Sequence, residues 1–208
     1  MRAEFLAALK THQTAFEIDL TTEQMERLAD YYDLVQEHNP ILHLVGPCSP
    51  EEFAVRHILE SLTLLEFLPA KTRFADVGAG AGLPSIPCLI VREDLGCLLI
   101  ESKEKKATFL RSVVDALALA GRAQIANRQF EEVVEAEGVT HVTCRALDKF
   151  SDKLPRLLRW SKRRPLLLFG GNNLGDALSK NNVESARRLM PLSEQRYLFI
   201  TSRQRGSL

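Results

Sequence analysis

The 208-residue sequence has only four cysteines, and no two of them stand at CxxC spacing. Cys48, Cys88, Cys97 and Cys144 give no support to a zinc knuckle or a redox pair, and so low a density does not suit a disulfide-stabilised secreted fold. The chain start lacks the apolar core of a signal peptide, and no apolar run approaches the roughly 20 residues that span a bilayer. These absences predict a cytoplasmic protein with no membrane segment and no bound metal.

The chain also lacks net charge, because Lys plus Arg and Asp plus Glu both number 27. The balance hides a split between the two halves. Residues 1–100 carry seven basic and 15 acidic side chains, whereas residues 101–208 carry 20 basic and 12 acidic ones. A total of zero argues against a nucleic-acid partner, but the positive second half is a candidate binding face.

Two capping signals predict helices in the first third of the chain. Thr21 with Gln24, and Ser49 with Glu52, each have the spacing of a capping box, and apolar residues then recur every three or four positions. The first helix is expected to end at Pro40 and the second near residue 68. The pattern predicts an N-terminal helical extension over residues 1–68.

From residue 73 onward, short apolar runs alternate with helical stretches, which is typical of βαβ units and a parallel sheet. Strands are expected at residues 74–77, 97–100, 124–126, 139–144, 166–169 and 197–201. Helices are expected from residue 84, around 110–117, near 131, over 151–162 and over 176–189. The sequence therefore predicts an α/β fold in which residues 69–208 form one compact unit.

A glycine-rich loop follows the first predicted strand, in the string Asp76-Val77-Gly78-Ala79-Gly80-Ala81-Gly82. Glycines at such a turn let backbone N–H groups approach a ligand closely. The dinucleotide fingerprint GxGxxG needs a third glycine at Leu83, so the nicotinamide interpretation is weakened. A plain tight turn remains the alternative to a cofactor loop.

The second predicted strand ends at Glu101, 25 residues beyond Asp76. A carboxylate at this place can accept hydrogen bonds from both ribose hydroxyls of a nucleoside cofactor. A solvated glutamate at a helix start is the alternative. Together, the loop and Glu101 favour a nucleoside cofactor, but this spacing does not separate NAD from S-adenosylmethionine.

Several strings in one order make the chain resemble the RsmG (GidB) methyltransferases, which form 7-methylguanosine in bacterial small-subunit ribosomal RNA. The most specific are Arg-His-Ile at 56–58 and the pattern Glu-Ser, Lys-Lys, Phe-Leu at 101–102, 105–106 and 109–110. The resemblance covers roughly residues 20–170. It implies a class I, Rossmann-like fold with a seven-stranded, mostly parallel sheet, S-adenosyl-L-methionine as cofactor, and a guanine in the 530 loop of 16S rRNA as acceptor.

The resemblance also implies a set of cofactor-binding residues: Asp76, Gly78, Gly80, Leu83, Glu101, Phe130, Glu131 and Arg145. In this set Asp76 organises the methionine end, Glu101 holds the ribose, Phe130 and Glu131 flank the adenine, and Arg145 closes the pocket. The chain departs from the family after the fifth strand, where Gly170-Gly171 replaces the usual Lys-Gly and removes a phosphate contact.

Methylation of guanine N7 makes few demands on the protein, because N7 carries a lone pair and no proton. A general base is unnecessary, and positioning supplies most of the acceleration. We therefore assign no certain catalytic residue and name Arg56, His57 and Arg145 as positioning candidates. A nucleophilic Cys144, as in cytosine C5 methylation, is the weaker alternative to a buried structural thiol, because Cys144 and Arg145 are adjacent on a strand and point to opposite faces.

The densest positive segment lies at residues 145–164, with eight basic and two acidic side chains. A solvated helix face is the ordinary explanation, yet Trp160 among the arginines adds a ring that could stack on a base. The predicted RNA-binding residues are Lys153, Arg156, Arg159, Lys162, Arg163 and Arg164.

The expected partner is 16S rRNA or the small subunit, bound by a monomer. Alternatives are a small-molecule methyltransferase and a nucleotide-binding regulatory module without catalysis.

Overall fold

Seven strands form one sheet in the computed structural model, which describes residues 1–134, 136–145, 150–161 and 164–201, with backbone alone at 150 and 151. They are β1 (Arg73–Val77), β2 (Gly96–Ile100), β3 (Ala123–Ala126), β4 (Val139–Arg145), β5 (Leu166–Gly170), β6 (Ser185–Leu189) and β7 (Tyr197–Thr201). The spatial order is β3-β2-β1-β4-β5-β7-β6. The first five in this order are parallel, and β7 is antiparallel to β5 and β6. The expected mostly parallel sheet is confirmed.

Helices cover both faces of this sheet. They are α1 (Arg2–His12), α2 (Thr22–Leu42), α3 (Pro50–Glu52), α4 (Glu60–Leu62), α5 (Ser85–Val91), α6 (Glu104–Ala116), α7 (Phe150–Trp160) and α8 (Asn172–Lys180). A π-helix, Phe53–Leu59, joins α3 to α4, and a 3-10 turn, Thr63–Phe67, follows α4. Residues 50–67 therefore form one continuous helical segment whose middle turn is wider than an α-helix, a feature that periodicity did not predict.

Both predicted capping boxes are present. The side chain of Thr21 accepts from the Gln24 N–H while the Gln24 side chain accepts from the Thr21 N–H, and Ser49 and Glu52 make the same pair of bonds. The expected end of α2 at Pro40 is wrong. Near a helix C-terminus a proline removes only one hydrogen bond, and α2 continues to Leu42. It ends where His43 takes a left-handed conformation with φ of 47° and donates its N–H to the Asn39 carbonyl.

The helix expected over residues 176–189 is also wrong. α8 ends at Lys180, and residues 185–189 form the edge strand β6, which pairs only with β7 among the described strands. β6 carries Arg187 and Arg188, and its local pattern does not identify a strand. Its backbone hydrogen bonds to β7 decide its conformation, and charged side chains are common on such an edge.

Alternating side chains of the strands build a core on each face of the sheet. Phe74 and Leu99 pack on the face that α1, α2, the segment 50–67, α5 and α6 cover, whereas Ala75, Leu98 and Cys144 pack on the face that α7 and α8 cover. The N-terminal helices thus share one hydrophobic core with the sheet. No helix in the described ranges is long and apolar enough to cross a membrane.

Replacing Phe53 with alanine tests whether the N-terminal helices and the sheet unfold together. Phe53 is fully buried and packs edge-to-face on Phe5, Tyr32 and His57. We expect Phe53→Ala to lower the free energy of unfolding by about 3–5 kcal/mol in a single urea transition. Two separate transitions would show that the extension is an independent unit.

Candidate active site

A tight turn after β1 forms the floor of the main cleft. Gly78, Gly80 and Gly82 have φ angles of 74°, 56° and 92°, which favour glycine. A Cβ on Gly82 would also lie 2.5 Å from Cγ1 of Ile86, so this glycine lets the loop pack on α5. The loop therefore presents backbone rather than side chains to the cleft.

The cleft lies at the carboxyl ends of β1 and β4, where the strand order reverses. Ligands of open α/β sheets bind at such a point. Its volume is about 290 Å³, near the lower end for small-molecule sites. Its walls come from the glycine loop, the loop after α2, the π-helix, the residues that follow β2, the end of β4 and the first turns of α6 and α7. The lining residues are Leu44, Val45, Gly46, His57, Gly78, Ala79, Gly80, Ala81, Leu83, Glu101, Ser102, Lys103, Lys106, Arg145 and Lys153.

Glu101 lies at the predicted place, at the end of β2 and in the cleft wall. Its Oε2 accepts from the Gly80 N–H at 3.0 Å, and its Oε1 accepts from the Lys103 N–H at 2.8 Å. Each carboxylate oxygen has a second acceptor site. Glu101 therefore holds the glycine loop in place and keeps acceptor capacity for a diol in the cleft.

Asp76 lies behind the glycine loop rather than in the cleft wall. It is fully buried, and its Oδ2 accepts from the Ser85 hydroxyl at 2.5 Å, while its Oδ1 has no hydrogen-bond partner among the described residues. Burial raises the pKa of Asp76 to about 7, a rise that the Ser85 hydrogen bond opposes. The Asp76–Ser85 bond ties the end of β1 to the start of α5 and so fixes the loop between them.

Arg145 joins the end of β4 to the π-helix. Its Nη2 donates to the Arg56 carbonyl at 2.5 Å, and its Nη1 donates to the Ser61 hydroxyl at 3.1 Å. The guanidinium also lies 5.4 Å from the ring centre of Phe169 and pairs with Glu60 at 3.6 Å. Burial lowers the pKa of Arg145, and Glu60 opposes that shift.

The three positioning candidates therefore meet, but in different ways. His57 and Arg145 both line the cleft, with His57 Nδ1 3.4 Å from Arg145 Nη2. Arg56 contributes its backbone carbonyl, whereas its half-exposed side chain pairs with Glu52.

Burial and the nearby Arg145 lower the pKa of His57 to about 3, so the imidazole is neutral. Because a guanidinium has no acceptor, Nδ1 must accept and the ring proton lies on Nε2.

Phe130 and Glu131 lie in a 3-10 turn, Phe130–Glu132, outside the lining of the main cleft. Phe130 is only 3% exposed and packs edge-to-face on Trp160. Glu131 lines a neighbouring groove and pairs with Arg156 at 3.6 Å. Their role beside the adenine remains a prediction.

The predicted basic residues are divided between two edges of the sheet. Lys153 lines both the main cleft and the neighbouring groove, and Arg156, Arg159 and Trp160 line that groove alone. Arg164 lies at the opposite edge, where its Nε donates to the Val139 carbonyl at the start of β4. Lys162 and Arg163 lie outside the described residues. Trp160 donates its indole N–H to the Val133 carbonyl, so the nitrogen-bearing edge of the indole ring is fixed against the protein.

Cys144 is buried, as expected, and its side chain belongs to the core on the face opposite Arg145. The described residues hold no group of three or more His, Cys, Asp or Glu side chains that could bind a metal. The arrangement of the cleft points to binding and orientation rather than to a covalent nucleophile.

Sequence reasoning missed the loop after α2 and the polar residues behind the cleft. The Asn39 side chain accepts from the Leu44 and Val45 N–H groups and holds this loop beside the cleft, while Lys106 donates to the His43 carbonyl at 3.3 Å. Tyr31 on α2 donates its hydroxyl to the Ala81 carbonyl at 2.9 Å. An asparagine beside the expected helix end, at position 39, was the available signal, whereas Tyr31 resembles any core aromatic.

The strand order and the glycine loop with its acidic partner define a class I, Rossmann-like methyltransferase. A family model described as "rRNA small subunit methyltransferase G" (GidB) matches residues 24–204. The chain belongs to this family, which confirms the resemblance.

Relatives and solved structures agree with this assignment. The chain is 36% identical over 154 residues to "Ribosomal RNA small subunit methyltransferase G" of Chromobacterium violaceum, with 73% of each chain covered. It is 34% identical over 138 residues to the protein of the same name from Azoarcus sp., with 66% of this chain and 65% of the relative covered. A SAM-dependent methyltransferase from Aquifex aeolicus has the same fold, with a TM-score of 0.59, 14% identity, and 83% of this chain and 97% of that chain covered.

The cleft fits S-adenosylmethionine, the methyl donor of this class. Backbone at Gly78 and Gly80 lets a ligand approach closely, Glu101 has free acceptor sites that suit ribose hydroxyls, and Arg145 contributes a guanidinium to the cleft wall. These groups match a nucleoside joined to a charged amino acid.

Asp76→Asn tests the buried carboxyl behind the loop. A pKa raised from the unfolded value of about 3.9 to about 7 means that the folded state binds a proton that the unfolded state releases in this range. Asp76 therefore contributes stability at low pH that is lost as the pH rises through 7. In urea unfolding from pH 5 to 8, we expect wild type to lose stability relative to Asp76→Asn. Parallel curves would contradict a raised pKa.

Proposed function

We propose that the chain transfers a methyl group from S-adenosylmethionine to N7 of a guanine in the 530 loop of 16S rRNA. The observation that carries this proposal is the continuity of the cleft with a basic groove at Lys153, in a member of the GidB family. The methyl donor supplies an electrophilic methyl group when bound. The acceptor belongs to a polyanion, and the basic groove gives it a path to the cleft.

The residues around the cleft suit an acceptor atom that needs no deprotonation. The imidazole of His57 is neutral but bonded at Nδ1 to Arg145, and it lies against Phe53. His57 therefore forms part of the cleft wall and can donate a hydrogen bond through Nε2. It does not serve as a general base. Glu101 and the loop backbone orient the donor, and Leu44 and Val45 add apolar side chains to the cleft lining.

The groove beside the cleft is lined by three basic side chains, Lys153, Arg156 and Arg159, and by two acidic ones, Glu131 and Glu132. Arg156 and Arg159 are exposed on α7, and Lys153 stands between them and the cleft. Phosphate contacts there would bring the nucleotide next to the acceptor guanine into register. Arg164 donates to the Val139 and Ser161 carbonyls at the amino ends of the strands. It therefore supports the fold and is not part of the proposed RNA-binding groove.

The remaining proposals concern the setting of the reaction. The substrate is the small ribosomal subunit or its 16S rRNA, the enzyme acts as a monomer, and the reaction takes place in the cytoplasm. A small-molecule acceptor is disfavoured by the basic groove beside the cleft, and a non-catalytic module by the family.

Incubation with methyl-labelled S-adenosylmethionine tests the proposed function. We expect label in undermethylated 30S subunits or naked 16S rRNA, as 7-methylguanosine in a nuclease digest. Comparison of the two RNA forms identifies the acceptor.

Cys144→Ala is the control, and it should retain activity because its thiol faces away from the cleft. Label only in a small-molecule pool, or binding of the donor without transfer, would contradict the proposal.

Neutralising the basic groove tests the RNA path. In Lys153→Gln/Arg156→Gln/Arg159→Gln, we expect the KM for RNA to rise and the slope of log KM against log salt to fall by about 2–3, because about 0.7–0.9 is lost per phosphate contact. A control with three exposed lysines exchanged elsewhere, Lys10→Gln/Lys71→Gln/Lys180→Gln, should keep the wild-type slope. Equal slopes for the two variants would place the RNA elsewhere.

A further inference from the structure

A buried carboxylate lies behind the cleft, outside the predicted sets of cofactor-binding and positioning residues. Glu60 is 2% exposed, and each of its oxygens faces a different arginine. Its Oε1 accepts from Arg196 Nε at 2.6 Å, and its Oε2 lies 3.6 Å from Arg145 Nη2. Glu60 does not line the cleft itself.

Arg145 depends on this carboxylate. Its other polar partners are neutral: the Arg56 carbonyl, the Ser61 hydroxyl and the His57 ring nitrogen. In the part of the chain that the structure describes, Glu60 is the only carboxylate within ion-pair distance of Arg145. The Arg145 side chain is 15% exposed, and a guanidinium so largely removed from water is unfavourable without a counter-charge.

The π-helix brings these partners to one place. The Glu60 N–H bonds to the Val55 carbonyl, five residues back, which closes the wide turn. This turn directs the Arg56 carbonyl, His57 and Glu60 toward the same guanidinium. Such turns are frequent at functional sites.

We propose that Glu60 is a positioning residue that holds the guanidinium of Arg145 against the wall of the methyl-donor cleft. The inference rests on the proposed function, because it assigns Arg145 to the bound methyl donor. Glu60 acts only through Arg145: it supplies the buried negative charge that keeps Arg145 turned toward the π-helix and the cleft. Arg196 holds the other oxygen of Glu60 and fixes the direction of the carboxylate.

A double-mutant cycle tests this role. The dissociation constant of S-adenosylhomocysteine, measured by calorimetry, and kcat and KM for methylation are determined for wild type, Glu60→Gln, Arg145→Met and the double variant. We expect Glu60→Gln to weaken binding of S-adenosylhomocysteine about tenfold in the wild-type background. In the Arg145→Met background the same substitution should change neither binding nor kcat. A merely structural Glu60 would weaken binding by the same factor in both backgrounds, which would overturn the proposal.

Glu66→Gln is the matched control, because Glu66 lies in the same helical segment and pairs with Arg188 at the surface. We expect wild-type binding and kcat for it. Glu60→Asp, which restores a carboxylate, should recover part of the lost affinity, and no recovery would contradict the charge argument.

If Glu60→Gln does not fold, comparison of Arg145→Met with the double variant still decides the question. The double variant has no guanidinium at position 145 that would lack a counter-charge. We therefore expect it to fold and to bind S-adenosylhomocysteine as Arg145→Met does. Weaker binding by the double variant would refute the proposal. A wild type that binds S-adenosylhomocysteine but methylates no RNA would refute the proposed function and leave the binding cycle intact.

Discussion

The contact between the partly buried Arg145 and the segment 50–67 is the junction on which the cleft depends. Arg145 ends β4, at the point where the strand order reverses, and it reaches across to the Arg56 carbonyl, Ser61 and Glu60. Because these partners come from the N-terminal helices, that part of the chain supplies a wall of the active site as well as a cover for the sheet. The same helices contribute the loop after α2 and the Tyr31 hydroxyl that bonds to the glycine loop.

Charge is organised around this junction. Within the cleft, Glu101 brings a carboxylate and Arg145 a guanidinium to the wall, with the loop backbone between β1 and α5 beneath them. Beside it, Lys153, Arg156 and Arg159 share the lining of a groove with Glu131 and Glu132. The formal charge of zero conceals this division, because acidic side chains dominate the first 100 residues and basic ones the rest. A distribution of charge, rather than its sum, therefore indicates the partner.

Much of the fold could be predicted because its signals are local. Capping boxes at Thr21 and Ser49, apolar runs for six strands and the glycine string after β1 all depend on neighbours in sequence. One error occurs where a partner strand decides, because β6 is a strand through its pairing with β7. The other is local: α2 passes Pro40 because one missing hydrogen bond near a helix end costs little.

The sequence by itself determined the family, the α/β class, the glycine turn and the carboxylate of Glu101, since each depends on residue identity at fixed spacing. Only the tertiary structure decided which charges meet. Glu60, Arg145 and Arg196 are separated by 85 and 51 positions in the chain, and no periodicity relates them. The structure also separated Arg164 from the basic groove by placing it at the amino edge of the sheet. The physical reason is that burial and pairing of charges depend on packing in three dimensions, whereas caps, turns and strand alternation depend on the chain nearby.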